Sequence, residues 1–348
     1  MNISIIGAGA WGTAVAIHAA KFAKASPQLE IGVNLWARDA AQAQKMQDQR
    51  INERYLSGVE FPSNLVIEKD WDQVIKRTCR DEDLLIIATP LAGLSATCKA
   101  LLNNSNVPKN WIWLCKGIEP DSCALPHEIV ERELAASGLK SQIQFGVLSG
   151  PSFALEVAKG LPCALTVASK FKNLCELTQK FLHYGAMRVY ATDDVVGVEL
   201  GGAVKNILAI ATGIGDGMNL GLNARAAIIT RGMVEMARLG QAMGARAETF
   251  SGLAGLGDLI LTATGDLSRN RQVGLALAQG KTLEQILKDL GHVAEGVRCA
   301  QAVRSLAHRC QVQMPIVEAV CQVLFSGVPP EQALMQLMAR DARSETEE

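Results

Sequence analysis

Residues Ile3 to Gly12 read Ile-Ser-Ile-Ile-Gly-Ala-Gly-Ala-Trp-Gly, and an alanine-rich helical pattern follows from Thr13 to Lys24. An apolar strand thus runs straight into Gly7-x-Gly9-x-x-Gly12, which restricts the chain to few folds. The first glycine permits a tight strand-to-helix turn. The second lets the backbone approach a pyrophosphate, and the third lets the helix pack on its strand. The helix start adds unpaired N–H groups and a positive dipole end. The pattern predicts a βαβ unit that binds a dinucleotide at Gly7, Gly9 and Gly12.

The rest of the first half repeats that alternation. Strand-like runs at 3–6, 31–36, 84–88, 111–115, 145–148, 163–167 and 188–190 are separated by helical patterns. This predicts an α/β fold with a doubly wound, Rossmann-like parallel sheet. From Asp193-Asp194, a predicted helix cap, strand signals fade and helical patterns run to about residue 339. The expected organisation is a dinucleotide-binding domain at 1–192, an all-helical substrate domain at 193–340 and a polar tail at 341–348.

Composition narrows the partners. The net charge is −1 and no basic stretch stands out, so no nucleic acid is expected. The nine cysteines are scattered without a C-x-x-C pair, which predicts neither a metal site nor a disulfide framework and fits a reducing, cytoplasmic setting. A strand at residue 3 leaves no signal peptide, and no uninterrupted apolar run reaches the roughly 18 residues of a membrane span.

Three polar clusters stand out against this background. The second strand ends Leu35-Trp36-Ala37-Arg38-Asp39. NAD-specific folds keep an acid at the strand end for the ribose, whereas a guanidinium suits a 2′-phosphate. Arg38 therefore favours NADPH/NADP, and Asp39 keeps NADH/NAD open. The segment 195–211 is apolar nearly all round yet carries Glu199, Lys205 and Asn206, with Gly201-Gly202 in mid-helix. Each such glycine costs about 1 kcal/mol against alanine, which suggests close backbone packing or a nearby ligand. A lysine there either snorkels out or, desolvated, is prepared for proton exchange near neutral pH. Third, Asp258 falls at a predicted helix start, and Ser268-Arg269-Asn270 opens another helix. Hydroxyl, guanidinium and amide at a helix N-terminus suit a phosphate, although Ser268 also reads as an ordinary cap.

Taken together, Gly7-Ala-Gly-Ala-Trp-Gly12, Cys115-Lys-Gly-Ile-Glu119, Ser149-Gly-Pro-Ser-Phe-Ala154, Val198-Glu-Leu-Gly-Gly-Ala-Val-Lys-Asn206, Gly257-Asp-Leu259, Ser268-Arg-Asn270 and Glu295-Gly296 resemble the bacterial-type NAD(P)-dependent glycerol-3-phosphate dehydrogenase family, in the family's order. The resemblance implies interconversion of dihydroxyacetone phosphate and sn-glycerol 3-phosphate, supplying glycerophospholipid synthesis. It implies Lys205 as the proton donor and acceptor. It implies substrate contacts at Lys116, Gly150, Ser152, Asp258, Ser268, Arg269 and Asn270, and cofactor contacts at Trp11, Arg38, Lys116, Ala154, Arg269, Val293 and Glu295. Ala10 stands in the glycine turn where many relatives have serine, and a longer connection, about 23–30, precedes the second strand. Arg38-Asp39 replaces the two basic residues that some relatives carry. A homodimer is compatible with the resemblance.

The implied chemistry is hydride transfer at C2 of a phosphorylated triose. Lys205 would stabilise and protonate the C2 oxygen. Asp258 would hold the lysine or a substrate hydroxyl, Asn206 would orient the same network, and Arg269 with Asn270 would hold the phosphate. Two other readings stay open. One is a related two-domain 3-hydroxy-acid dehydrogenase, which needs no phosphate cluster at 268–270. The other is a non-catalytic NADP-binding module, which needs no Lys205.

Overall fold

The computed structural model describes residues 1–290 and 294–339. Val293, assigned above to the cofactor, and the tail 341–348 lie outside the described residues. The chain divides into two compact units. The first comprises Met1–Glu119, Ala124–Gly202 and Ala245–Asp258, and the second comprises Pro120–Cys123, Ala203–Gly244 and Leu259 onward.

The first unit is built on a sheet. Its elements in chain order are β1 (Asn2–Ile6), α1 (Ala10–Ala25), β2 (Gly32–Trp36), α2 (Ala40–Gln49), β3 (Ile51–Asn52), β4 (Leu56–Glu60), β5 (Leu65–Glu68), α3 (Trp71–Arg77), β6 (Leu84–Ile87), α4 (Leu94–Leu102), β7 (Asn110–Trp113), α5 (Pro126–Ser137), β8 (Gln144–Ser149), α6 (Ala154–Lys159), β9 (Cys163–Ala168), α7 (Lys172–Leu182) and β10 (Met187–Thr192). The strand order is β10-β9-β8-β7-β6-β1-β2-β5, and β3 pairs separately with β4. The chain winds outward from β1 through β2 to β5, then returns to β6 on the other side of β1. That reversal is where open α/β sheets bind ligands, outside the carboxyl ends of the strands.

Alternation along the strands builds both layers. Ile3, Ile5, Leu84 and Ile86 enter the core against α1, while Ile6, Leu85 and Ile87 enter the opposite core with Trp111 and Trp113. The parallel expectation needs one correction, because β9 pairs antiparallel with β8, opposing Ser149 to Thr166. The connection holding α6 re-enters the sheet at the end where β8 left it, so the strands run in opposite directions. β3, β4 and β5 went unread in the sequence. They are short, and β3–β4 forms an outlying ribbon beside the sheet.

The chain continues with α8 (Val195–Gly217), α9 (Gly221–Ala242), α10 (Ala247–Ser251), a π-helical turn (Leu253–Gly257), α11 (Asp258–Thr264), α12 (Arg269–Ala278), α13 (Leu283–Leu290), α14 (Glu295–Arg309), α15 (Pro315–Phe325) and α16 (Pro330–Met338). The helical second half expected from the sequence is thus present; α10 and the π turn are additions to it. The predicted cap at Asp194 forms, its carboxylate accepting the Gly197 N–H at 3.0 Å. The two units part inside α8 because its first turns bury Val195 and Val198 in the core of the sheet unit. By length and composition α8 could cross a membrane, but 94% of its most apolar window is buried inside the protein, as in a core helix.

Candidate functional site

In the sheet unit the glycine turn separates by purpose. Gly7 sits at φ +113°, and a Cβ there would lie 2.9 Å from the Ala88 carbonyl. A Cβ on Gly12 would meet the Gly7 oxygen at 2.1 Å. Folding itself therefore demands both glycines. A Cβ on Gly9 would have nothing within 4 Å, so the protein leaves that space open to a ligand. Gly9 is also the N-cap of α1 and offers no side chain to it; no acid occupies the first turn. The N–H groups beginning at Ala10 and Trp11 suit a pyrophosphate. Asn52, unforeseen in the sequence, braces the turn by donating to Ala8 O (3.0 Å) and Thr13 Oγ1 (2.8 Å). These features fit a dinucleotide.

Beyond β2, Asp39 caps α2, its Oδ1 accepting the N–H groups of Ala41 (2.9 Å) and Gln42 (3.2 Å). Arg38 beside it is exposed, and among the described residues no hydrogen bond or ion pair holds it. Capping gives Asp39 a structural reason to be acidic, and Arg38 has none.

A second group in the same unit gathers Lys116, Gly150, Ser152 and Asp258. The Lys116 ammonium donates to Gly150 O (3.2 Å) and to Asp258 Oδ2 (2.5 Å), and Ser152 Oγ donates to the same Gly150 carbonyl at 3.2 Å. From sequence, Asp258 is assigned to Lys205 or a substrate hydroxyl, and its carboxylate accepts from Lys116. The pair is largely enclosed, with side chains 19% and 2% exposed, so loss of either partner would strand a buried charge. The mid-helix glycines are explained nearby. A Cβ on Gly201 would lie 2.5 Å from Ala254 O in the π turn, and one on Gly202 would lie 3.3 Å from Lys116 Cγ. Close packing against backbone accounts for Gly201, while Gly202 is crowded more mildly and by side-chain atoms alone. Ala154 is the first residue of α6.

Glu199 proves to be an anchor. Its carboxylate accepts from Trp113 Nε1 (2.9 Å), His127 N (3.0 Å) and His127 Nδ1 (2.5 Å), joining α8 to β7 and α5. Burial pushes the Glu199 carboxyl up from its usual range, while His127 draws it back. Burial likewise lowers His127, but the Glu199 bond and charge outweigh it and hold the imidazole above its ordinary value.

The helical unit carries the other predicted residues. Lys205 is 7% exposed, and its ammonium donates to Thr262 Oγ1 at 2.9 Å. Thr262, on α11, was missed because a threonine in a helical pattern carries no signal. Ser268 caps α12 by accepting the Arg271 N–H at 3.2 Å, and a hydroxyl that accepts can still donate its own proton. Arg269, first in α12, is exposed. Arg271 is ion-paired with Asp216 (2.8 Å), which also holds Arg225, and with Asp266 (3.0 Å), whereas the Arg269 side chain is exposed at this helix end. Asn206 Oδ1 accepts from Asn270 Nδ2 at 2.8 Å. Asn270 Oδ1 in turn accepts the Gly296 N–H at 3.0 Å. Glu295 opens α14; burial pushes its carboxyl up, opposed by the charges of Arg298 and Arg269.

Comparison with known proteins identifies the family. Residues 2–175 match the model of the NAD-dependent glycerol-3-phosphate dehydrogenase N-terminus, and residues 194–335 match that of its C-terminus. A glycerol-3-phosphate dehydrogenase [NAD(P)+] of Cupriavidus metallidurans is 56% identical over 347 residues, covering 99% of this chain and all of the relative. The enzyme of the same name from Ralstonia nicotianae is 55% identical, covering 99% of each chain. The crystal structure of glycerol-3-phosphate dehydrogenase from Coxiella burnetii superposes with a TM-score of 0.88 at 37% identity, covering 97% of this chain and 99% of that one. With a glycine turn open to a dinucleotide, a buried lysine on α8 and relatives matched end to end, the chain belongs to the NAD(P)-dependent glycerol-3-phosphate dehydrogenase family.

Proposed function

We propose that this protein interconverts dihydroxyacetone phosphate and sn-glycerol 3-phosphate, and that Lys205 is its general acid and base. The observation that carries the second statement is a lysine nearly enclosed on an apolar helix, with a threonine hydroxyl as hydrogen-bond partner. An ammonium so held can stabilise charge developing on the C2 oxygen and give it a proton; deprotonated, it accepts one in the reverse direction. Gly7, Gly9, Ala10, Trp11 and Gly12 would hold the dinucleotide pyrophosphate, with Ala154, Arg269 and Glu295 as further contacts. The nicotinamide supplies or takes the hydride.

Lys116 and Asp258 would hold the triose together with Gly150 and Ser152. Their mutual ion pair fixes the ammonium before substrate arrives, so less ordering is needed on binding. Arg269 and the N–H groups starting α12 would hold the phosphate, remote from the reacting carbon, and turn its binding energy into orientation. Asn206 supports this end through Asn270. Arg38 tilts cofactor choice toward NADPH, with NADH still usable. The product would feed glycerophospholipid synthesis. The same reading goes with a cytoplasmic location and is compatible with a homodimer.

The direct test follows NAD(P)H absorbance with dihydroxyacetone phosphate, with unphosphorylated dihydroxyacetone and with 3-oxo acids. Rapid oxidation with the triose phosphate alone is the expected result. Turnover only with a 3-oxo acid would point to the hydroxy-acid reading. Cofactor binding without any turnover would leave a sensing module.

A further inference from the structure

Three helix segments of the helical unit meet through one carboxamide. Asn270, on α12, is 8% exposed, and both ends of its amide are engaged. Its Oδ1 accepts the Gly296 N–H at 3.0 Å, and its Nδ2 donates to Asn206 Oδ1 at 2.8 Å. The direction is fixed by chemistry. A backbone N–H can only donate, so the atom of Asn270 facing Gly296 is the oxygen, and the NH2 must face Asn206. Gly296 has to be glycine for this approach, since a Cβ there would lie 2.6 Å from Asn206 O and 2.9 Å from Asn270 Oδ1. Within the next turn of α14, Cys299 Sγ reaches Ala203 O at 3.7 Å and repeats the tie to α8.

The neighbours of this relay are the residues assigned to ligands. Arg269 precedes Asn270, and Glu295 precedes Gly296. The charge of Arg269 already acts on Glu295. We infer that Asn270 is a positioning residue whose amide ties the phosphate-binding start of α12 to the cofactor-binding start of α14, so that one buried relay, Asn206–Asn270–Gly296, supports both ligands. The side chain thus acts through Arg269 and Glu295, while the Asn270 backbone N–H, in the first turn of α12, remains available to the phosphate. This inference rests on the functional reading of Glu295 as a cofactor contact.

The relay and a simple substrate contact predict different binding. A residue that only touches the triose phosphate leaves binary cofactor affinity alone. A shared support does not. NADPH affinity is measured without substrate by fluorescence titration of wild type, Asn270→Ala, Asn206→Ala and the double variant, and KM for dihydroxyacetone phosphate is measured in parallel. The expected result is an NADPH Kd raised about tenfold in each single variant, the order expected for stranding one buried polar group. The double variant should be no worse than about twofold beyond the weaker single, because one broken relay cannot be broken twice. A raised KM in Asn270→Ala with unchanged NADPH Kd would overturn the inference, as would full additivity. Each titration is run well below that variant's thermal midpoint, where the folded fraction is near one, so a general loss of stability does not imitate the effect. If Asn270→Ala does not fold, Asn206→Ala alone decides by the same readout. Wild-type turnover of the triose phosphate is scored separately; its absence would fail the functional reading, while the titration still judges the relay.

Discussion

The sheet unit and the helical unit build their parts of the chemistry from different materials. In the sheet unit the nucleotide end is backbone: glycines clear space, and the start of α1 presents N–H groups. In the helical unit the proposed work falls to side chains: a lysine against a threonine, two asparagines in series, and an exposed arginine beside one that is ion-paired. A backbone site tolerates wide variation in its neighbours but demands glycine at fixed spacing, which leaves a fingerprint. A side-chain site needs partners brought from distant segments, and no spacing announces them.

The largest test of this contrast is Lys205→Ala. Turnover should fall by roughly two to four orders of magnitude, the range for a positioned acid or base, while NADPH Kd stays near wild type. A folded variant with near-normal kcat would remove the catalytic role from the helical unit. Arg269→Ala comes next, with an expected loss of about 2–5 kcal/mol in kcat/KM for dihydroxyacetone phosphate. NADPH affinity must be titrated alongside, because Arg269 is also assigned to the cofactor. If the variant still separates phosphorylated from unphosphorylated dihydroxyacetone as wild type does, the phosphate is held elsewhere.

In the sheet unit the side chain most exposed to challenge is Arg38. Its removal should shift the NADPH-over-NADH ratio of kcat/KM by about 1.5–3 kcal/mol, as for a hydrogen bond to a charged group. An unchanged ratio at fixed ionic strength would make Arg38 a solvated charge. The glycines then test the backbone argument directly. Gly12→Ala should cost about 1–3 kcal/mol of stability by overpacking. Gly9→Ala should leave the thermal midpoint nearly unchanged yet weaken NADPH binding. Wild-type NADPH affinity in Gly9→Ala would show that the open space is not where the ligand comes close.

The smallest effect concerns acid stability of the sheet unit. Burial pushes the His18 imidazole below its ordinary value; the Leu182 carbonyl opposes this and the Lys21 charge adds to it. The unfolded chain therefore takes the proton first. The stability this group contributes is whole above the unfolded value, about 6.5, and is lost as pH falls through the lower folded value. In His18→Gln, whose amide can still donate to Leu182 O, Tm should fall less between pH 7 and pH 5. An equally steep fall would place the acid-sensitive group elsewhere.

Much of this molecule was legible in one dimension. Periodicity and turn chemistry identify β1, β2, β6, β7, β8, β9 and β10 and most of the later helices, because those signals are local to each segment. Gly7 and Gly12 were legible because the turn that joins them is local, although Ala88, just past β6, also crowds both. Lys205 and Glu199 stood out as charges in an apolar helix, but the sequence could not tell an acid–base residue from an anchor. The anchoring role of Glu199 waited on His127 and Trp113, which are far away in the chain and close in space. The direction of β9, the glycine pair at 201–202, the occupation of Asp258 by Lys116 and the two-ended amide of Asn270 were likewise decided by tertiary structure. Each depends on which surfaces meet. Local sequence sets what a segment can become, whereas contact between segments sets which polar groups must find partners once water is removed.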